Sequence, residues 1–226
     1  MKTSLYFLIS ILVFTSLFNV HAEEMSIEIS EGSELEQSLA EDAYRTVISW
    51  YSELGFHIDI DVPSKVLVQD VINAEGRQAP EAFGLYNPET NQIHLVGYRS
   101  DIFQNGNFLG SEPCEDLYMS LIVHELTHFS NARLQPEMSP AFDELVAATV
   151  QFETMEPSLR TRVIEGASPL SFSSVSEITL SRYWDSPIGF LVGAYLFSQR
   201  LPVFVKNLLN GRGPKLKDPL FVEWSD

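Results

Sequence analysis

The run Leu117 to Phe129, Leu-Tyr-Met-Ser-Leu-Ile-Val-His-Glu-Leu-Thr-His-Phe, limits what this chain can fold into more than any other stretch. Within it, His124-Glu125-Leu126-Thr127-His128 has the form H-E-x-x-H. On a helix, residues four apart share a face about one turn apart, so both imidazoles can meet one metal ion. Glu125 sits one step round the cylinder, where its carboxylate can reach a water on that ion without being a ligand. Two neutral nitrogen donors with a base beside them are the layout of a hydrolytic zinc site. The run is apolar on nearly every side (Leu117, Met119, Leu121, Ile122, Val123, Leu126, Phe129), as in a helix that passes through a core. Two imidazoles and a carboxylate are costly to bury there unless something satisfies them. A metal would do so; the blander alternative is a core helix whose imidazoles hydrogen-bond to their neighbours. Upstream, Ser111-Glu112-Pro113 reads as the helix start, with Glu115 and Asp116 favourable to the dipole.

The ends of the chain bear on where such a site would work. Residues 1–22 read as a signal peptide: Lys2 is the positive start, Leu5 to Phe18 is mostly apolar, and Val20-His21-Ala22 is a small-residue cleavage site. That run is short for a bilayer span, so no membrane insertion is expected after its removal. The product of about 204 residues suits one domain, residues 23–226. Loss of Lys2 leaves 13 basic against 31 acidic residues, which disfavours nucleic acid and anionic membranes as partners. The single cysteine, Cys114, cannot form an internal disulfide and reads as structural. It lies nearly three helical turns before His124, too far to be a third ligand. Localisation is read as periplasmic or secreted.

Glu34 to Leu54 carries apolar residues at helical spacing, and Gly55 ends it. His57 to Val62 alternates as a strand does, and Lys65 to Val68 is a second strand candidate. Phe83-Gly84-Leu85-Tyr86 and Gln92 to Val96 form a hairpin around Asn87-Pro88-Glu89-Thr90-Asn91. His94 on the return strand has no partner at ligand spacing and reads as a packing or surface residue. Residues 100–112 read as a loop, and the tail from Gly211, with Pro214 and Pro219, as an extended segment. The fold class expected is α+β, a small antiparallel or mixed sheet in residues 57–97 followed by a helical half.

After a break over Arg133 to Met138, Ser139-Pro140 opens another helix, Ala141 to about Met155. A catalytic zinc needs a third protein ligand and an open position. Glu144 is the best placed carboxylate, sixteen residues beyond His128 and followed by the small residues Ala147 and Ala148. Glu137 falls in the loop, Glu153 is over two turns further on, and Asp143 projects about 100° away from Glu144. The simpler reading is that Asp143 and Glu144 only complement a helix N-terminus.

His124-Glu125-x-x-His128 followed by Pro140-Ala-Phe-Asp-Glu144-Leu-Val-Ala-Ala resembles the gluzincin metallopeptidases, closest to the peptidase-MA-like branch. The hairpin at 83–96 is similar to the edge strand those enzymes place over the cleft. The stretch Tyr183 to Leu196, with Gly189 before an aromatic-rich run, resembles a helix of that branch that begins with Tyr. The metzincin extension is absent, with Asn131 and Leu134 at its Gly and His positions. Leu145 stands where a small residue commonly follows the ligand Glu. Ala148 stands where some gluzincins carry an acidic residue that orients a ligand His, so that partner has to come from elsewhere.

The resemblance implies a zincin-like fold and one Zn²⁺ per chain, held by His124, His128 and Glu144. It implies peptide-bond hydrolysis of a protein or peptide substrate, with Glu125 taking a proton from the attacking water and passing it to the leaving amine. Tyr183 is the candidate for a second donor to the oxyanion, against the reading that it simply packs. Two other classes stay open: a catalytically silent zinc-containing binding or structural protein, and an exported acidic interaction module whose H-E-x-x-H is accidental. A non-ligand base at Glu125 serves no purpose in the first, and metal analysis separates the second.

Overall fold

The computed structural model describes residues 27, 29–58, 65–74, 77–79 and 82–213. The signal-peptide reading of residues 1–22, most of the strand read over 57–62 and the tail beyond residue 213 lie outside the described residues; His57 and Ile58 themselves are in no strand. The architecture is α+β, with eight α-helices among the described residues and a four-stranded mixed sheet.

Strand β1 (Ile29–Ser30) leads into helix α1 (Glu34–Glu53). The helix starts with a capping box, in which the Ser33 side chain accepts from the Glu36 amide and the Glu36 carboxylate accepts from the Ser33 amide. Glu36 is buried, and its other oxygen accepts the Tyr98 amide at 2.7 Å, tying the helix start to the loop beyond the sheet. Gly55, at φ 83°, supplies the left-handed residue just past the end of α1. Strand β2 (Lys65–Gln69) follows, then an antiparallel ribbon of β3 (Ile72–Ala74) and β4 (Arg77–Ala79), then the hairpin β5 (Gly84–Asn87) and β6 (Gln92–Val96). In the larger sheet the order is β1-β2-β6-β5, with parallel pairs β1/β2 and β2/β6 and the antiparallel pair β5/β6, so β5 is an edge. Asn87 holds the hairpin turn by accepting the Glu89 and Thr90 amides, and Asn91 takes the positive φ of 54° that the turn requires. His94 packs inside the sheet, with its Nδ1 3.2 Å from Gln69 Oε1, in keeping with a packing role.

Residues 100–112 are not the plain loop their Gly and Asn content suggests. Ser100 caps a short helix, α2 (Asp101–Asn105), and a 3-10 turn follows at Phe108–Gly110. A five-residue helix is too short to show a 3.6-residue period, so the pattern stays silent. The motif helix α3 (Glu115–Leu134) starts later than Ser111: Cys114 is its N-cap, extended at φ −154° and ψ 166°, and its thiol makes no cap bond. Helix α4 (Pro140–Thr154) runs almost as the sequence indicates, with Ser139 as N-cap and Pro140 in the first turn.

Beyond it come α5 (Pro157–Gly166), α6 (Leu180–Asp185), α7 (Pro187–Arg200) and α8 (Pro202–Leu209). The run Tyr183 to Leu196, which reads as one helix, is therefore two. Pro187 keeps Ser186 out of the helical conformation, at φ −157° and ψ 80°, and ends α6 there, leaving Tyr183 in the middle of α6 rather than at a helix start. No single described helix is long and apolar enough to cross a membrane; α7 and α8 pass such a test only as a pair, bent by 103°.

Helix α3 is the axis of the molecule. It packs most extensively on α4 and next on α1, with β5 also against it, while α7 packs on α4. Nearly its whole surface is buried, from Leu117 to Asn131, as the apolar run requires. Tyr118 anchors it to the sheet by donating to the Val96 carbonyl at 2.9 Å. One continuous core results, in which Phe129, Phe152, Phe172 and Phe190 are fully buried.

Candidate metal centre

Helices α3 and α4 cross where the three ligand candidates lie, and His124, His128 and Glu144 form a group that could hold a metal ion. One donor atom from each lies within 4.8 Å of the others. The two imidazole Nε2 atoms are 3.1 Å apart, and Glu144 Oε2 is 3.4 Å from Nε2 of His124. Glu144 Oε1 is 3.8 Å from Nε2 of His128. Glu144 thus stands opposite the two imidazoles, and its Oε2 is buried with no hydrogen-bond partner.

The rings are fixed from behind. His128 Nδ1 is 2.7 Å from Asp143 Oδ2, and His124 Nδ1 is 3.1 Å from Gln151 Oε1. Both acceptors are oxygens, so each ring donates from Nδ1, and in the neutral form its Nε2 lone pair faces the other ring. Gln151 is oriented in turn by donating through Nε2 to Ser120 Oγ at 3.3 Å. Asp143 Oδ1 accepts from Asn131 Nδ2 at 2.7 Å, and Asn131 Oδ1 accepts the Tyr51 hydroxyl at 2.6 Å. The partner that Ala148 does not supply therefore comes from Gln151, one helical turn further along α4.

The cluster favours positive charge. Burial works against a charged His128 imidazole, but the Asp143 and Glu144 carboxylates, the Asp143 hydrogen bond and the Glu125 charge outweigh it and push it up to about 10. Glu125 is buried beside the imidazoles. Burial raises its carboxyl above the usual range, and the two imidazoles and the Tyr86 amide bound to it work the other way. That amide belongs to β5, and so does Gly84, whose Cα lies close against the Glu125 side chain: a Cβ there would come within 2.7 Å of Glu125 Cγ and 2.8 Å of Cδ. Burial also pushes the Tyr183 phenol far up, reinforced by the nearby Glu144 and Glu125 charges, which puts this ring beside the same cluster. Its ring packs 5.5 Å from Phe190 and 5.1 Å from Trp184.

The structure brings together His124, His128, Glu144 and Glu125, with Tyr183 at their border. Asp143, Gln151, Asn131 and Tyr51 are the residues that the sequence reading did not assign. A faint signal existed: Gln151 is seven residues beyond Glu144 and Asn131 seven beyond His124, so each lies two turns along the same face. Asp143 does project away from Glu144, and that direction is what takes it to the rear of His128.

No curated protein and no solved structure matches the chain. One family model does match, over residues 54–212, a span from the end of α1 past α8 that contains every ligand candidate. On that match the chain belongs to DUF6639, a family of unknown function.

Proposed function

We propose that this chain is an exported zinc metallopeptidase of the gluzincin type, zincin-like in fold, cleaving peptide bonds in a protein or peptide substrate. The observation that carries the reading is the Glu144 carboxylate, its buried Oε2 without a hydrogen-bond partner, set against two imidazole Nε2 atoms. Two imidazole nitrogens and a carboxylate oxygen turned toward one another in a buried place call for a shared cation, a metal ion or the proton that His128 otherwise takes up.

Zinc fits this donor set. Ligands at ~2.0–2.1 Å in a tetrahedron are about 3.3 Å apart. The Nε2–Nε2 separation of 3.1 Å and the His124 Nε2–Oε2 separation of 3.4 Å lie on either side of that value, and the His128 Nε2–Oε1 separation is longer at 3.8 Å. Imidazole, imidazole and carboxylate are also the ligand types of a catalytic rather than a closed structural site. Nδ1 hydrogen bonds to Asp143 and Gln151 aim Nε2 of each ring at the place a metal would take.

A bound zinc would supply Lewis acidity toward the substrate carbonyl and lower the pKa of a water at its open position to about 7. Glu125, held by the Tyr86 amide, takes a proton from the attacking water as the new C–O bond forms. It returns that proton to the amine nitrogen as the peptide C–N bond breaks. Tyr183, a neutral phenol throughout the physiological range, is the candidate donor to the oxyanion.

The test is elemental analysis of the purified protein, with Glu125→Gln and Glu144→Ala variants assayed on a mixed peptide substrate. The expected result is about one zinc per chain, kept in Glu125→Gln with hydrolysis reduced at least ~10²-fold, and lost in Glu144→Ala. Zinc with no hydrolysis of any peptide would point to a silent zinc protein. A protein that takes up no zinc would end the reading. For export, the first residue of the product recovered outside the cytoplasm should be near Glu23.

A further inference from the structure

We infer that Tyr51 and Asn131 are positioning residues for the metal ligand His128, linked to it through Asp143, so that helix α1 forms part of the metal site. The inference rests on the metal reading given above. The path consists of three hydrogen bonds: Tyr51 hydroxyl to Asn131 Oδ1 at 2.6 Å, Asn131 Nδ2 to Asp143 Oδ1 at 2.7 Å, and His128 Nδ1 to Asp143 Oδ2 at 2.7 Å. Tyr51 is 0% exposed and Asn131 is 1% exposed, so water does not substitute for either link.

Each link dictates the next. An asparagine amide can flip and exchange its oxygen for its nitrogen. The Asp143 carboxylate only accepts, so it selects the orientation with Asn131 nitrogen toward itself and oxygen toward the Tyr51 hydroxyl, whose hydrogen bond holds the amide in place. In that orientation Asn131 donates to one Asp143 oxygen and leaves the other for the His128 N–H. Flipped, Asn131 would set its oxygen against the Asp143 carboxylate, and the repulsion would swing that carboxylate off the ring. Hydrogen-bond partners behind a ligand histidine set its tautomer and ring angle, and their loss commonly weakens metal binding ~10–100-fold. Tyr51 acts one link further back, so a smaller effect follows. The spacing explains how a residue so remote in sequence takes part. Asn131 lies three residues past His128 on α3, near the face that carries the ligand, and α1 docks along that same helix.

The experiment measures zinc affinity by competition with a chromophoric chelator for the unaltered protein, Tyr51→Phe, Asp143→Ala and the double variant. Thermal midpoints are recorded with and without zinc. Tyr51→Phe is expected to weaken zinc binding about three- to tenfold and to shrink the zinc-induced rise in midpoint. In the Asp143→Ala background it should change the affinity no further, because its route to His128 is gone. Asn131→Ser breaks the next link and must give the same pattern, which keeps the result decisive if one variant does not fold. Unchanged zinc affinity in both single variants, or an equal loss with and without Asp143, would overturn the relay and leave Tyr51 a packing residue. Absence of zinc binding by the unaltered protein would overturn the metal reading and the relay together.

Discussion

Gly84 of β5 and Glu125 of α3 are in contact so close that no other residue fits at position 84 without moving the Glu125 carboxylate. The Tyr86 amide two residues along the strand binds the same carboxylate. The sheet edge thus supports Glu125, while the ligand candidates sit on two helices, so base and metal can be uncoupled by mutation. Gly84→Ala should retain the far-ultraviolet dichroism and the zinc content of the unaltered protein but lose about 10²-fold in peptide hydrolysis, since a displacement near 1 Å is worth that much. Equal turnover in the two proteins would remove Glu125 from the role of base, or show the strand to be freely adaptable.

The rear hydrogen bonds give a graded outcome. Asp143→Ala strips His128 of a charged acceptor, and Gln151→Leu strips His124 of a neutral one. Zinc dissociation constants should rise in both, by about tenfold or more for Asp143→Ala and less for Gln151→Leu, because hydrogen bonds to charged groups are about twice as strong. Isothermal titration with zinc reads both values. The reverse order would mean that Gln151, not Asp143, carries the larger share of ligand orientation.

Much of this was legible in the chain because helical geometry needs only spacing. His124, Glu125 and His128 follow from a period of 3.6, and Glu144 from a helix start marked by Pro140. The hairpin followed from turn residues at 87–91, whose sequence states its own geometry. What stayed hidden depends on how elements meet. Asp143 could not be assigned to His128, nor Tyr51 to Asn131, until the packing of α1, α3 and α4 was known. Strand β1, with two residues pairing in parallel to β2, has too little length to carry a pattern. The split at Ser186 was visible as Pro187, but the apolar run after it and the Tyr183-Trp184 pair before it masked it.

Glu36 stabilises the fold far from the site. It closes the capping box of α1 and also accepts the Tyr98 amide, so one buried carboxylate satisfies several donors. Glu36→Ala should lower stability by about 1–3 kcal/mol, the cost of leaving such buried donors unpaired. Urea unfolding followed by tryptophan fluorescence measures this, with zinc content per folded chain unchanged. A loss under ~0.5 kcal/mol would mean that water replaces the carboxylate.

Helix α5 offers a pH-dependent contribution. Glu156 is its N-cap, accepting from the Ser158 hydroxyl and the Leu159 amide, and the Ser158 bonds foremost hold its carboxyl down at about 2. A depressed folded-state value means that the ionised form stabilises the folded chain. That contribution is complete above the ordinary carboxylate range and disappears as pH falls toward 2. Glu156→Gln should therefore lower the urea midpoint at pH 6 and leave a smaller difference from the unaltered protein near pH 3. An equal difference at both values would assign the effect to packing rather than charge.

Chelation is the broadest test of the centre. Zinc that binds the folded chain and not the unfolded one stabilises it by about 2.7 kcal/mol at a free concentration of 100 Kd. The thermal midpoint should therefore drop on treatment with excess chelator and recover when zinc is restored. His128→Ala should show neither the drop nor the recovery. A midpoint indifferent to chelator in the unaltered protein would mean that the three side chains are satisfied by protons alone. The high affinity of His128 for a proton makes that the specific competitor to exclude.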